Sequence, residues 1–210
     1  MKNRESIVYL HGFGSSPASK KAAFFRDRFR EVGIEIFVPD LSEGRFEQLT
    51  VSGQMRVVEG AAAGRPVSLI GSSMGGYLAA LYAARHPETV RLVLLAPAFG
   101  FPGRWKDSLG EEKLRSWREK GTMSFYNYAE ERELPVSYGL IEDARQYEEM
   151  PLVTQPVRIF HGRYDAVVPV EYSREFASGR PNVQLDVVDS DHQLLNVLDL
   201  IWKGTHAFLG

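Results

Sequence analysis

Cysteine is missing from the 210 residues. Disulfides, a thiolate nucleophile and cysteine-ligated metals are excluded together. A block of like charge is missing too: 25 basic side chains are interspersed with 27 acidic ones, for a formal charge of -2, which argues against nucleic acid as a partner. No apolar run approaches the roughly 18 residues needed to cross a bilayer, so no membrane span is expected. The opening "MKNRESIVYL" lacks the long apolar stretch and small-residue cleavage site of a secretory leader. There is no internal repeat and no low-complexity tract. What is present is 44% hydrophobic residues, enough for a core that needs no covalent staples. The expectation is one domain over residues 1–210 in the cytoplasm, with monomer and homodimer both open.

The apolar runs are short and regularly spaced. "SIVYL" (6–10) reads as a buried strand running into the turn-rich "HGFGSSP". From Ser19 to Val32 the spacing of Ala22, Phe25, Phe29 and Val32 predicts a helix stopped by Gly33. "IEIFVPDL" (34–41) is a second strand, and residues 45–63 have a helical pattern weakened by Gly53 and Gly60. "PVSLIG" is a third strand, "MGGYLAALYAARHP" a helix closed by Pro87, and "VRLVLLAPA" a fourth strand. "VRIFHG" from Val157 and "VQLDVVD" from Val183 are two more, with the helix "PVEYSREFASG" between them and an amphipathic segment from Gln193 to Phe208 at the end. Six strands alternating with helices indicate an α/β fold, a doubly wound, mainly parallel sheet with helices on both faces.

The alternation lapses between residues 99 and 150. This stretch holds Phe99, Phe101, Trp105, Trp117, Phe125, Tyr126, Tyr128 and Tyr138, with one helix expected over Glu111–Glu119 and a hairpin through "TMSFYNY" and "LPVSYGL". It reads as a small aromatic-rich, lid-like insertion over the carboxyl edge of the sheet. About half of these aromatics are expected to be simple core. Phe99, Phe101, Trp105, Trp117 and Phe125 are the candidate walls of an apolar pocket.

Gly71-Ser72-Ser73-Met74-Gly75 matches G-x-S-x-G directly between a strand and a helix, the context in which that pattern is informative. Only Ser73 has glycines two residues before and two after. The spacing is steric: a strained turn lifts the hydroxyl off the sheet edge, and larger flanking residues would collide with the adjacent elements. The new helix turns its positive N-terminal end toward the same place. Ser72 is a neighbour rather than a nucleophile.

A serine needs a base, and the base an orienting acid. Of the histidines at 11, 86, 161, 192 and 206, His192 follows the last strand and emerges at the same carboxyl edge. Asp165, after the preceding strand, supplies the acid there. Asp189 and Asp191 are alternatives, but their backbone is tied closely to His192 and reaches its ring less easily. His11 and His161, each before a glycine at a strand end, are expected to hydrogen-bond and shape loops. His86 and His206 are expected to be structural. Backbone N–H groups of Met74 and of Phe13, which sits between two glycines of the first loop, are the candidate oxyanion donors.

In this order, "HGFG", "GSSMGG", "HGRYDAVVP" and "DSDH" resemble an α/β-hydrolase of the small bacterial serine esterase or acyl-thioesterase type, and "HPETVRLVLLAPA" is similar to the segment after that family's nucleophile helix. The resemblance implies a carboxylesterase that hydrolyses small to medium acyl esters through an acyl-enzyme, with Ser73, Asp165 and His192 as the triad. It implies no metal and no organic cofactor, with a small-molecule ester as the partner. An acyl-thioesterase using the same triad is the alternative, and a non-catalytic ligand-binding scaffold a more distant one. Carbon–carbon bond hydrolysis fits the same residues, but no feature selects it.

Overall fold

The computed structural model describes residues 6–210. Residues 1–5, part of the stretch read above for a secretory leader, lie outside them. The chain opens with β1 (Ser6–Leu10), α1 (Lys20–Glu31) and β2 (Ile36–Phe37), then α2 (Val51–Ala62), β3 (Val67–Ser72), α3 (Met74–Arg85) and β4 (Thr89–Leu95). The insertion contributes α4 (Gly103–Leu109), α5 (Glu111–Lys120), β5 (Thr122–Asn127), β6 (Arg132–Ser137) and α6 (Gly139–Ala144). β7 (Val157–Gly162), α7 (Val170–Ala177), β8 (Val183–Val188) and α8 (Leu198–Leu209) complete it. Six strands form one parallel sheet in the order β2-β1-β3-β4-β7-β8, and β5 and β6 form a separate antiparallel hairpin.

Alternate residues of each central strand face opposite layers, as the pleat requires. Val8, Leu10, Leu69, Leu92, Leu94 and Ile159 pack with α2, α3 and the insertion, whereas Ile7, Tyr9, Ile70, Val93, Leu95 and Phe160 pack under α1 and α8. Both faces are covered, which is why these strands read as nearly unbroken apolar runs. α1 and α8 meet where the rings of Phe29 and Trp202 pack edge to face, 4.8 Å apart. α3 is buried from Met74 to Ala83. Its central place accounts for a sequence that is apolar on all sides rather than amphipathic.

Three expected elements differ. The second strand is only Ile36–Phe37, paired with Ile7 and Val8 at the sheet edge. Pro39 has no N–H to extend an edge ladder, so the remaining apolar residues pack as loop. The helix expected over 45–63 is broken into a 3-10 turn at Phe46–Gln48 and α2. Thr50 adopts an extended backbone and its hydroxyl accepts from Gly53 N–H, a helix N-cap. At the end of the chain, α8 starts at Leu198 rather than Gln193. The residues before it form a loop and a 3-10 turn, with buried Leu194 at φ 59.

Candidate active site

The chain leaves β1 outward to β2 and then crosses to β3, so the loops after β1 and β3 diverge above neighbouring strands. Doubly wound sheets bind ligands at such a switch point. Leu10 is paired with Gly71 in the ladder, which sets the first loop beside the G-x-S-x-G turn. Ser73 stands at the end of β3 with φ 53 and ψ -117, a left-handed conformation that a residue bearing a Cβ adopts only when its surroundings force it. The surroundings are visible. Ser73 N–H donates to Leu95 O at 2.9 Å, and Ser73 O accepts from Ala98 N–H at 3.0 Å, so the end of β4 and the loop that follows it hold the turn from both sides. A Cβ on Gly75 would overlap the carbonyl oxygens of Leu10 and His11, and one on Gly71 would overlap the Gly75 backbone. The two flanking glycines are therefore contact residues between β1, β3 and α3.

Asp165 follows β7 and His192 follows β8, two strands paired along their length. Their loops are bound to each other: Arg163 N–H donates to Val188 O and Tyr164 N–H to Ser190 O. Gly162 makes this possible, since a Cβ there would sit 2.5 Å from Ser190 O. The result is a continuous polar chain. His192 Nδ1 lies 2.7 Å from Asp165 Oδ2, and His192 Nε2 lies 3.0 Å from Ser73 Oγ.

Asp165 is buried among donors. Its Oδ1 accepts from Val167 N–H and Val168 N–H, both at 2.8 Å, and its Oδ2 also lies 3.1 Å from His161 Nε2. Burial alone would raise its pKa. The hydrogen bonds from His161, His192 and Val168, with the charge of His192, outweigh that and hold the carboxyl well below the usual carboxylate range. A carboxylate only accepts, so His192 Nδ1 carries the proton and Nε2 is left free to accept from the Ser73 hydroxyl. Asp189 pairs instead with Arg163, and Asp191 accepts from Gln193 N–H. Neither replaces Asp165 beside His192.

The first loop approaches from the other side. A Cβ on Gly12 would lie 3.4 Å from Ser73 Cβ, which puts Phe13 next to the serine. The N–H groups of Phe13 and Met74 have no hydrogen-bond partner among the described residues, so both are available as donors. His11 shapes this loop: its Nδ1–H donates to Gly12 O and its Nε2 accepts from Leu41 N–H. Burial lowers its pKa, which keeps the ring neutral in that role.

The candidate pocket residues separate into three groups. Trp105 and Phe125 touch the Phe13 ring, with centroids 5.2 and 5.5 Å away, and Phe46, from outside the insertion, joins them at 5.1 Å. Phe101 and Trp117 are fully buried behind Trp105, and the Trp117 indole N–H donates to Val136 O. Phe99 stacks on Phe176 of α7 instead. The hairpin reaches the first loop through Tyr128 N–H, which donates to Gly14 O at 2.6 Å.

Two cations near the site carry no sequence signal. Arg104, on α4, is nine-tenths buried and donates from Nη1 to Val167 O at 2.7 Å, securing the loop after Asp165. Burial pushes the Lys21 ammonium down to about 8, against the pull of Asp165 and Asp191. Neither matches a motif, because each reaches the site only through the packing of its helix. Among the described residues no cluster of histidine and carboxylate side chains is arranged to hold a metal ion, and no helix is long and apolar enough to cross a membrane.

A six-stranded parallel sheet in this strand order, with the serine turn after its third strand and the aspartate and histidine loops after its last two, is the α/β-hydrolase fold. The family is narrower than that: residues 6–209 match the model described as "Uncharacterised protein family (UPF0227)", and the chain belongs to it. The chain is 28% identical over 213 residues to the palmitoyl-protein thioesterase ABHD10, mitochondrial, of Rattus norvegicus, covering 92% of this chain and 71% of that one. It superposes on mouse alpha/beta hydrolase domain-containing protein 10 with a TM-score of 0.83 at 23% identity, over 97% of this chain and 89% of the other. Est1E of Butyrivibrio proteoclasticus, solved with ferulic acid, gives 0.81 at 20% identity over 98% and 88%. These two structural likenesses bear on the fold.

Proposed function

We propose that the protein is a serine carboxylesterase that hydrolyses small to medium acyl esters through an acyl-enzyme. The observation that carries this reading is the unbroken chain from Ser73 Oγ through the His192 ring to the buried Asp165 carboxylate. Ser73 attacks the acyl carbonyl as His192 Nε2 takes its proton, and the same nitrogen then protonates the departing alcohol. Asp165 holds the Nδ1–H tautomer and stabilises the imidazolium. The Phe13 and Met74 N–H groups receive the oxyanion, an arrangement in which one donor is typically worth about 10²- to 10³-fold in rate. Water, activated by His192, releases the acid in the second half.

The aromatic surface of Phe13, Trp105, Phe125 and Phe46 suits an apolar acyl group. Wild-type protein should hydrolyse p-nitrophenyl acetate or butyrate and be labelled at Ser73 by a fluorophosphonate, and Ser73→Ala should do neither. Equal activity of the two proteins, or the absence of activity and labelling in both, would overturn the reading. The relation to a palmitoyl-protein thioesterase across most of both chains favours a second reading, thioester hydrolysis by the same residues. The ratio of kcat/KM for matched oxygen esters and thioesters separates the two.

A further inference from the structure

We propose that His161 is a positioning residue for the base, one that shares the Asp165 oxygen with His192 and thereby fixes the carboxylate's orientation and the strength of its hold on the His192 ring. This rests on the reading of Ser73, His192 and Asp165 given above.

The tautomer of His161 follows from its partners. Nε2 lies 2.8 Å from Val168 O and 3.1 Å from Asp165 Oδ2, and both of those oxygens only accept. Nε2 therefore carries the proton and shares it between them. Nδ1, 2.7 Å from Ser173 Oγ, then accepts from that hydroxyl. Ring and hydroxyl are both fully buried, so no water competes for any of these positions. Ser173 belongs to α7, and the orientation of the ring is thus set by a helix on the far side of the loop that carries Asp165.

With His161 in place the carboxylate has four donors, two on each oxygen: Val167 and Val168 N–H on Oδ1, His161 and His192 on Oδ2. Two consequences follow. Rotation about the carboxyl bond would break contacts at both ends, so the oxygen facing His192 stays in place. Sharing Oδ2 between two rings also moderates the pull of the carboxylate on the His192 proton, which must leave again when the alcohol departs. Without His161, Oδ2 would act on His192 alone, and the carboxylate would be held in orientation only by the Val167 and Val168 N–H groups on Oδ1. The other charges facing this carboxylate are Arg104 from α4 and Lys21 from α1, and Asp191 adjoins His192 in its own loop; all three are unchanged by substitution at 161.

The test is the pH dependence of p-nitrophenyl butyrate hydrolysis by wild type, His161→Leu, His161→Gln and Ser173→Ala, each normalised to the fraction that a fluorophosphonate labels at saturation. For His161→Leu the expected result is a fall in kcat of about 10²-fold, the scale of a displacement near 1 Å, with little change in KM. The acid limb of its kcat/KM profile should move to higher pH, because an unshared carboxylate draws the His192 proton more strongly. The side-chain amide of His161→Gln restores a donor and should recover most of the loss. Wild-type kcat with an unmoved acid limb in His161→Leu would overturn the proposal, as would a Gln variant no better than the Leu variant. If His161→Leu does not fold, Ser173→Ala decides: loss of the hydroxyl that fixes the tautomer should lower kcat several-fold and move the same limb, and an unchanged profile would overturn the proposal. Failure of the underlying triad reading looks different, since wild type and Ser73→Ala would then be indistinguishable.

Discussion

Asp165 is where the physics of single residues is most concentrated. Asp165→Asn keeps the shape of the side chain but replaces one acceptor oxygen with a donor, which must face either His192 or the Val167 and Val168 N–H groups. Loss of kcat by about 10⁴-fold is expected, with little change in KM, as for the same replacement in other triads of this kind. Stability should respond as well. The carboxyl titrates below its usual range in the folded protein, so as pH falls past the unfolded value of about 3.9 the unfolded chain takes up a proton that the folded chain does not. The stabilisation is present above the unfolded value and is lost as pH falls below it. Urea midpoints should therefore show wild type more stable than Asp165→Asn at neutral pH, with the gap closing below about pH 4. Much of this was legible in the sequence. The glycines around Ser73 and the placement of Asp165 and His192 after consecutive strands were enough to bring the three side chains together in expectation. Arg104 and Lys21 were not legible, because their helices are separated from Asp165 by many tens of residues and no local pattern records the contact.

At the scale of elements, the meeting of β1, β3 and α3 is the critical junction. Gly75→Ala would push a methyl group into the Leu10 carbonyl, and neither partner is a side chain that can turn aside. A loss of about 3 kcal/mol is expected, at the upper end for overpacking, read as a lower midpoint in thermal or urea unfolding. Labelling of Ser73 should fall even in the folded fraction, since α3 has to back away from the end of β1 and the loop that carries Phe13. The strands were readable wherever both faces are covered, as in β1, β3, β4 and β7, because burial imposes an apolar run that periodicity can detect. β2 was overestimated for the complementary reason: Ile34 and Val38 are apolar because they pack against the α1 side of the core, not because they pair in the sheet. The break before α2 was missed because a threonine cap inside a helical pattern looks like any other threonine, and α4 because its seven residues are too few to show a period.

Across the molecule, charge enters the fold at Lys21. Its ammonium is pushed down to about 8, against about 10.4 in an unfolded chain, so folding disfavours its charged form. Below about pH 8 the lysine is protonated in both states and the full penalty of the partly buried cation applies. As pH rises from there the folded protein releases the proton first, and the penalty shrinks. Lys21→Met should accordingly be more stable than wild type at neutral pH, with the difference in unfolding midpoint narrowing between pH 8 and roughly 10. A constant difference across that interval would assign the effect to packing rather than charge.

The hydrogen bond from Tyr128 to Gly14 joins the hairpin of the insertion to the loop that offers the Phe13 N–H, and the Phe13 ring packs against two aromatics of that same insertion. On the proposed esterase reading, the groups that would select the acyl chain and those that would assist turnover belong to one mechanical unit. Natural drift or deliberate redesign that reshapes the insertion also moves the Phe13 N–H, so on that reading the two properties will change together unless a second substitution restores the loop.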